Sequence, residues 1–148
     1  MSSHAQLQGA DALRHAGLHV TAQRLSVLRV LERNPHALAD EVCEQVRIDL
    51  GTISRQAVYD ALNVMTEGGL IRRIQPAGTT ARYEVRTDNH HHLVCRSCGL
   101  MLDTLCATGE TPCLSALDPK GFVIEEAEVI YWGICPSCQA KKNIDKKM

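Results

Sequence analysis

Two CxxC pairs, Cys95-x-x-Cys98 and Cys135-x-x-Cys138, constrain this chain more than any other feature. Four thiolates in two such knuckles match the tetrahedral preference of structural Zn(II). A fold that uses them must therefore bring residues 95–98 and 135–138 together across the 36 residues that separate the pairs. That interval is long enough for strands and a helix, so the metal staples the start and end of a small domain whose own core is thin. The competing readings are a redox-active dithiol and unrelated buried cysteines.

The compartment bears on that choice. The opening residues, Met1-Ser2-Ser3-His4-Ala5-Gln6, lack the charged and apolar regions of a signal peptide. No run of about 18 apolar residues marks a membrane span. A cytoplasmic protein is expected, where thiols stay reduced and CxxC pairs read as metal-binding or redox-active.

Cysteine usage also divides the chain. Only Cys43 lies in the first half, and the other six cysteines follow residue 94. The polar stretch Arg86-Thr87-Asp88-Asn89 is the expected boundary, giving domains over 1–86 and 87–148. Residues 1–86 carry ten Arg and no Lys against nine acids, and residues 87–148 carry six basic against eight acidic residues. Neither half is strongly basic, so any DNA contact must come from the local placement of arginines. Aromatic residues make up only 3% of the chain, which leaves the core to Leu, Val, Ile and Ala.

The first half reads as helices followed by a hairpin. Leu7, Ala10 and Leu13 share a face of a helix over about 5–16, which Gly17 stops. Thr21 is placed to cap a helix reaching about Glu32, with Leu25, Leu28 and Leu31 at helical spacing. A third helix, from Ala39 to about Ile48, turns Val42, Val46 and Cys43 inward. After the turn Gly51-Thr52-Ile53, Ser54 caps a fourth helix through about Glu67, ended by Gly68-Gly69. Strands over 70–74 and 81–85, joined by Gln75-Pro76-Ala77-Gly78, complete a winged helix-turn-helix.

The second half reads as strands at 93–94, 101–103 and 128–134, with a short helix over about 112–117 and a frayed basic tail containing Lys141, Lys142, Lys146 and Lys147. The expected fold class is thus α+β: an N-terminal winged helix-turn-helix and a small C-terminal α/β domain with a four-cysteine zinc site.

The helix over 54–67 separates its faces. Val58, Ala61, Leu62 and Met65 form an apolar stripe, while Arg55, Tyr59 and Asn63 recur on the other side beside Gln56 and Asp60. Arg reads guanine bidentately, Asn and Gln read adenine, and an aromatic ring touches the thymine methyl. An amphipathic helix with a solvated polar face has the same pattern. The hairpin and the Arg72-Arg73 pair, available for phosphates, favour DNA.

His90-His91-His92 precedes the first knuckle. On an extended segment, His90 and His92 point to one side and His91 to the other. Asp103 can reach the same place, and His36 and Glu84 are further N/O candidates. Three imidazoles and two carboxylates without sulfur suit Fe(II), Mn(II) or Zn(II), not Cu(I). Each also has a plain reading: a surface or capping histidine, a solvated histidine run, a charge on the wing. Cys43 reads as a small buried hydrophobe. Cys106 and Cys113 lie in an apparent loop and either pair on oxidation or fill space.

Taken together, Thr21-Ala22-Gln23-Arg24, His36-Ala37-Leu38-Ala39-Asp40-Glu41, Ser54-Arg55-Gln56-Ala57-Val58-Tyr59, Ala81-Arg82-Tyr83-Glu84, the run from His90 to Gly99 and the run from Tyr131 to Cys138 carry a resemblance over nearly the whole chain. The chain resembles the ferric uptake regulator family of bacterial metal-dependent repressors. It is most similar to the actinobacterial branch often encoded beside a catalase-peroxidase.

The resemblance implies a homodimeric regulator without enzymatic activity or small-molecule substrate. Its C-terminal domain dimerises and holds structural Zn(II) on Cys95, Cys98, Cys135 and Cys138. It also implies a regulatory site of His36, Glu84, His90, His92 and Asp103 for Fe(II) or Mn(II), with Zn(II) able to occupy it in purified protein. Tyr59 matches the tyrosine of the recognition helix, and the expected DNA-contacting set is Arg24, Ser54, Arg55, Gln56, Tyr59, Asn63, Arg72 and Arg73 on a palindromic operator. Asp at position 103 is similar to peroxide-sensing members, where iron-sensing members commonly carry Glu. The expected function is a repressor released by peroxide oxidation at an Fe(II) site and controlling a catalase-peroxidase and its own gene. The alternatives are an iron- or zinc-uptake regulator, a CxxC redox protein, and a protein-interaction module with no DNA target. One departure stands out: Glu125-Glu126-Ala127-Glu128-Val129-Ile130 lacks the histidine that many members use for a further metal site, so no such site is expected.

Overall fold

The computed structural model describes residues 2–85, 90–104 and 116–146. Two compact units, Met1–Thr87 and Asp88–Met148, each contain a three-stranded sheet. The boundary stretch 86–89, Cys106, Cys113 and the start of the expected helix over 112–117 lie outside the described residues, and residues 116 and 117 are not helical.

The first unit runs α1 (Ser2–His15), α2 (Ala22–Arg33), β1 (Ala37–Leu38), α3 (Ala39–Leu50), α4 (Arg55–Glu67), β2 (Arg72–Ile74) and β3 (Arg82–Glu84). Local chemistry sets these limits. The Thr21 hydroxyl accepts from the Arg24 N–H at 3.2 Å and the Ser54 hydroxyl from the Ala57 N–H at 3.1 Å, so both expected caps form. Gly17, with φ of 74°, lets the chain leave α1 in a left-handed turn that a side chain would strain. Leu13, Val27, Leu31, Val42, Val46, Val58, Leu62 and Met65 are fully buried in one cluster. Burying each such side chain stabilises by about 1.5–3 kcal/mol, so a largely aliphatic core suffices here, with Tyr83 buried in it as well.

The hairpin of β2 and β3 forms as expected, with Arg73 opposite Tyr83. The structure adds a third strand. β1 pairs antiparallel with β3, Ala37 opposite Tyr83 and Leu38 opposite Arg82, so β3 is central. A two-residue strand carries no readable periodicity, which is why the sequence conceals it. Its consequence is large, because the pairing brings the residue before β1, His36, beside the end of β3. His36 itself adopts a φ of 64°, a left-handed conformation uncommon outside glycine.

The second unit contains β4 (His91–Cys95), β5 (Met101–Thr104), β6 (Ile130–Gly133) and α5 (Pro136–Lys146). β4 is central, antiparallel to β5 and parallel to β6. The last strand is shorter than expected, beginning at Ile130. The tail differs more. As far as Lys146 it forms α5, with Pro136 at the first helical position, where a missing N–H costs nothing, and Lys147 lies outside the described residues. The Gln139 N–H donates to the Cys135 carbonyl at 3.0 Å, while Lys141 and Lys142 are exposed as expected. Among the described residues, no helix is long and apolar enough to cross a membrane.

Candidate metal centres and nucleic-acid face

The cysteines converge. One ligand atom from each of Cys95, Cys98, Cys135 and Cys138 lies within 4.8 Å of the others. Cys95 ends β4, Cys98 follows in the tight turn to β5, and Cys135 and Cys138 flank the start of α5. The Cys98 and Cys135 sulfurs are 3.7 Å apart, against about 3.8 Å for the edge of a tetrahedron with metal–sulfur bonds of about 2.3 Å. The Cys135 backbone N–H donates to the Cys95 sulfur at 3.3 Å and, with the Cys98 amide, lowers that thiol to about 6. Cys98 is held in the opposite direction. The Leu100 amide favours its thiolate, but the thiols of Cys95, Cys135 and Cys138 outweigh it and push it up to about 11. A cation bound by all four sulfurs stabilises their ionised form.

The histidine run alternates as an extended segment must. His90 Nε2 and His92 Nε2 each lie 3.3 Å from Asp103 Oδ1, and the two rings meet edge to face with centroids 4.7 Å apart. The β4–β5 register sets this, placing His92 directly opposite Asp103. Two imidazole nitrogens and one carboxylate oxygen therefore share one location, with both histidines buried. This donor set fits a borderline or hard divalent ion. His91 points the other way, and its Nδ1 accepts from the Val129 N–H at 3.0 Å.

Glu128 was not among the expected site residues. Its Oε1 lies 3.1 Å from His92 Nδ1. The acidic stretch before β6 was legible only as a place where a histidine is missing. Its partner on β4 depends on the parallel β4–β6 register, which no local pattern encodes.

In the first unit, His36 Nε2 lies 3.1 Å from Glu84 Oε2, and the two side chains are only 7% and 1% exposed. The Arg82 guanidinium donates to the His36 carbonyl at 2.9 Å and holds the strained turn. Here too the sequence named the residues but not the strand pairing that joins them.

The polar face of α4 is exposed at Arg55, Gln56 and Asn63, and the core stripe is Val58, Ala61, Leu62 and Met65. Asp40, on the first turn of α3, receives Arg55 at 2.8 Å and the Tyr59 hydroxyl at 3.2 Å. Gln56 donates to Asp60 at 2.7 Å. Ser54 spends its hydroxyl on the helix cap, and Arg24 donates to the His19 carbonyl at 2.7 Å. Arg73 is exposed on β2, and Arg72 is half-buried beside it.

A sequence model of the ferric uptake regulator family matches residues 15–131. The chain is 55% identical over 130 residues to the transcriptional regulator FurA of Mycobacterium tuberculosis, covering 87% of this chain and 88% of that protein. It is 57% identical over 134 residues to ferric uptake regulation protein 1 of Mycolicibacterium fortuitum, covering 90% and 83%. Among solved structures, the Campylobacter jejuni peroxide stress regulator superposes with a TM-score of 0.67 at 28% identity, covering 78% of this chain and 88% of that one.

Proposed function

Because the chain belongs to the ferric uptake regulator family and is a transcriptional regulator of that kind, we propose that it is a metal-dependent homodimeric repressor released by peroxide. The observation that carries this reading is the convergence of His90 and His92 on Asp103. Structural Zn(II) belongs on Cys95, Cys98, Cys135 and Cys138, whose sulfur spacing suits it. The regulatory ion belongs on His36, Glu84, His90, His92 and Asp103. Taken separately, the pair from the first unit and the trio from the second are each too few for a five- or six-coordinate ion, and together they supply five N/O donors.

Ligation by residues from both units ties the winged helix to the C-terminal unit. In a two-fold dimer that tie sets the spacing of the two recognition helices on a palindromic operator. Metal supply then shifts the population towards the DNA-competent form. Fe(II), when bound, supplies the one-electron chemistry with peroxide that oxidises a ligand histidine. The protein's part is to hold the imidazoles of His90 and His92 in place, where damage to either one weakens the donor set. By resemblance, the regulated genes are a catalase-peroxidase and the repressor's own. The dimer is supported by an apolar depression of about 310 Å³ in the second unit, lined in part by the exposed side chains of Leu93, Leu102, Tyr131 and Trp132.

The test is operator binding by zinc-holding protein loaded with Fe(II) or with Mn(II), before and after a low dose of peroxide. The operator is an A·T-rich palindromic duplex from upstream of its own gene. Peroxide should release DNA from the Fe(II) form and leave the Mn(II) form bound. If both forms hold and binding follows metal supply alone, the protein is a metal-uptake regulator, a reading that the name of the Mycolicibacterium relative favours.

The DNA face allows a second test. The exposed Arg55–Asp40 pair is worth about 0.2–1 kcal/mol, less than the roughly 1–3 kcal/mol of a bidentate contact to guanine, so Arg55 can leave Asp40 for a base. Arg55→Ala is expected to cost about 1–3 kcal/mol and to relax preference at one base pair, whereas Arg73→Ala should weaken all duplexes equally and reduce the salt slope by about one. Uniform weakening by Arg55→Ala in a salt titration across operator variants removes α4 from base readout.

A further inference from the structure

We propose that Glu128 is a positioning residue for the regulatory metal, acting through His92. The inference rests on the reading that His90, His92 and Asp103 belong to that site. A histidine that binds a metal through Nε2 must present a lone pair there, so its proton must sit on Nδ1. Glu128 Oε1 lies 3.1 Å from His92 Nδ1 and is the acceptor that favours this tautomer. His92 Nε2, on the far side of the ring, faces Asp103 Oδ1 at 3.3 Å. Glu128 therefore cannot ligate the same ion while it holds Nδ1. It acts through the imidazole, orienting the ring and keeping the proton on Nδ1.

The backbone keeps Glu128 where this role needs it. His92 donates its N–H to the Val129 carbonyl at 3.2 Å, and the Val129 N–H donates to His91 Nδ1 at 3.0 Å. Residue 129 is thus fastened to two successive histidines of β4. Glu128 lies two residues before Ile130, the parallel partner of His92, and so shares its face of the sheet. The segment that lacks a histidine for a metal of its own supplies a carboxylate to a ligand of another.

The experiment compares wild type, Glu128→Gln, Glu128→Ala and His92→Ala, all retaining zinc on the cysteines. Mn(II) affinity is measured by chelator competition. The His92 tautomer is read from long-range ¹H–¹⁵N spectra of protein without the regulatory ion. Wild type should hold the Nδ1–H form. Glu128→Ala should lose that preference and bind Mn(II) about 10–100-fold more weakly. Glu128→Gln keeps an acceptor without the charge and should fall between the two. His92→Ala should lose the site altogether. If His92→Ala loses Mn(II) while both Glu128 variants bind as wild type with an unchanged tautomer, Glu128 has no positioning role and the site reading stands. If all four proteins bind Mn(II) alike, the site reading itself fails. Weaker binding with an unchanged tautomer reduces Glu128 to general electrostatics and overturns the proposal.

Discussion

Exchanging Cys135 for serine is expected to remove one zinc per chain and to abolish cooperative unfolding of the C-terminal unit. The reason is the scarcity of other sources of stability there. The buried apolar side chains of that unit are Val94, Cys95, Met101 and Cys138 among the described residues, and two of these are themselves members of the sulfur cluster. The other buried side chains on its central strand are imidazoles, which need polar partners rather than supplying hydrophobic free energy. A structural zinc with thiolate ligands contributes about 10–16 kcal/mol of apparent binding free energy, which exceeds the stability of most small domains. Cys135 is also the residue whose amide donates to Cys95 and whose carbonyl receives the first turn of α5, so the knuckle and the helix fail together. The first unit has its own aliphatic core and should keep its helical signal. Metal analysis with calorimetry distinguishes the outcomes: a variant that keeps one zinc and both unfolding transitions excludes the four-cysteine site. A dithiol redox protein predicts no stoichiometric zinc in wild type or variant, with thiols that titrate freely.

The features legible in the sequence are those whose physics is local. Thr21 and Ser54 cap the helices they were expected to cap because an N-cap bond spans three residues. The stripe Val58, Ala61, Leu62 and Met65 is buried because helical periodicity fixes a face before any partner is known. The alternation of His90, His91 and His92 holds for the same reason in a strand. What the sequence hides is register between distant segments. Strand β1 is two residues long, yet its pairing with β3 is what joins His36 to Glu84 across 48 positions of chain. The parallel β4–β6 register is equally invisible and delivers Glu128 to His92. The last helix was missed for a different reason: Pro136 followed by a second cysteine reads as a knuckle, and the same proline is a good first residue for a helix. Asp40 looks like an ordinary acidic residue in the first turn of α3, and only the packing of α3 against α4 shows that it holds Arg55 and Tyr59.

Replacing His92 by alanine is expected to cut metal-dependent operator affinity by at least about 100-fold, or roughly 2.7 kcal/mol, while leaving the zinc on the cysteines. His92 is the residue that the site can least spare. It meets Asp103 on one side of its ring and Glu128 on the other, and its loss removes the imidazole that lies between the two carboxylates. A switch that moves from mostly inactive to mostly active needs a metal that prefers the active form by several kcal/mol, so weakening the donor set by one imidazole removes most of the response. The neighbouring histidine provides the control. His91 is just as buried but faces the opposite way, and its Nδ1 accepts from Val129. His91→Ala leaves that amide without its acceptor and opens a cavity, so it should lower the melting temperature while preserving the response to Mn(II) in whatever fraction stays folded. Fluorescence anisotropy on the operator duplex at fixed salt, with and without Mn(II), separates the two variants. The strict alternation of β4 demands that His92→Ala silence the metal response and His91→Ala keep it. A His92→Ala protein that still tightens on DNA when Mn(II) is added shows that the regulatory ion is held elsewhere.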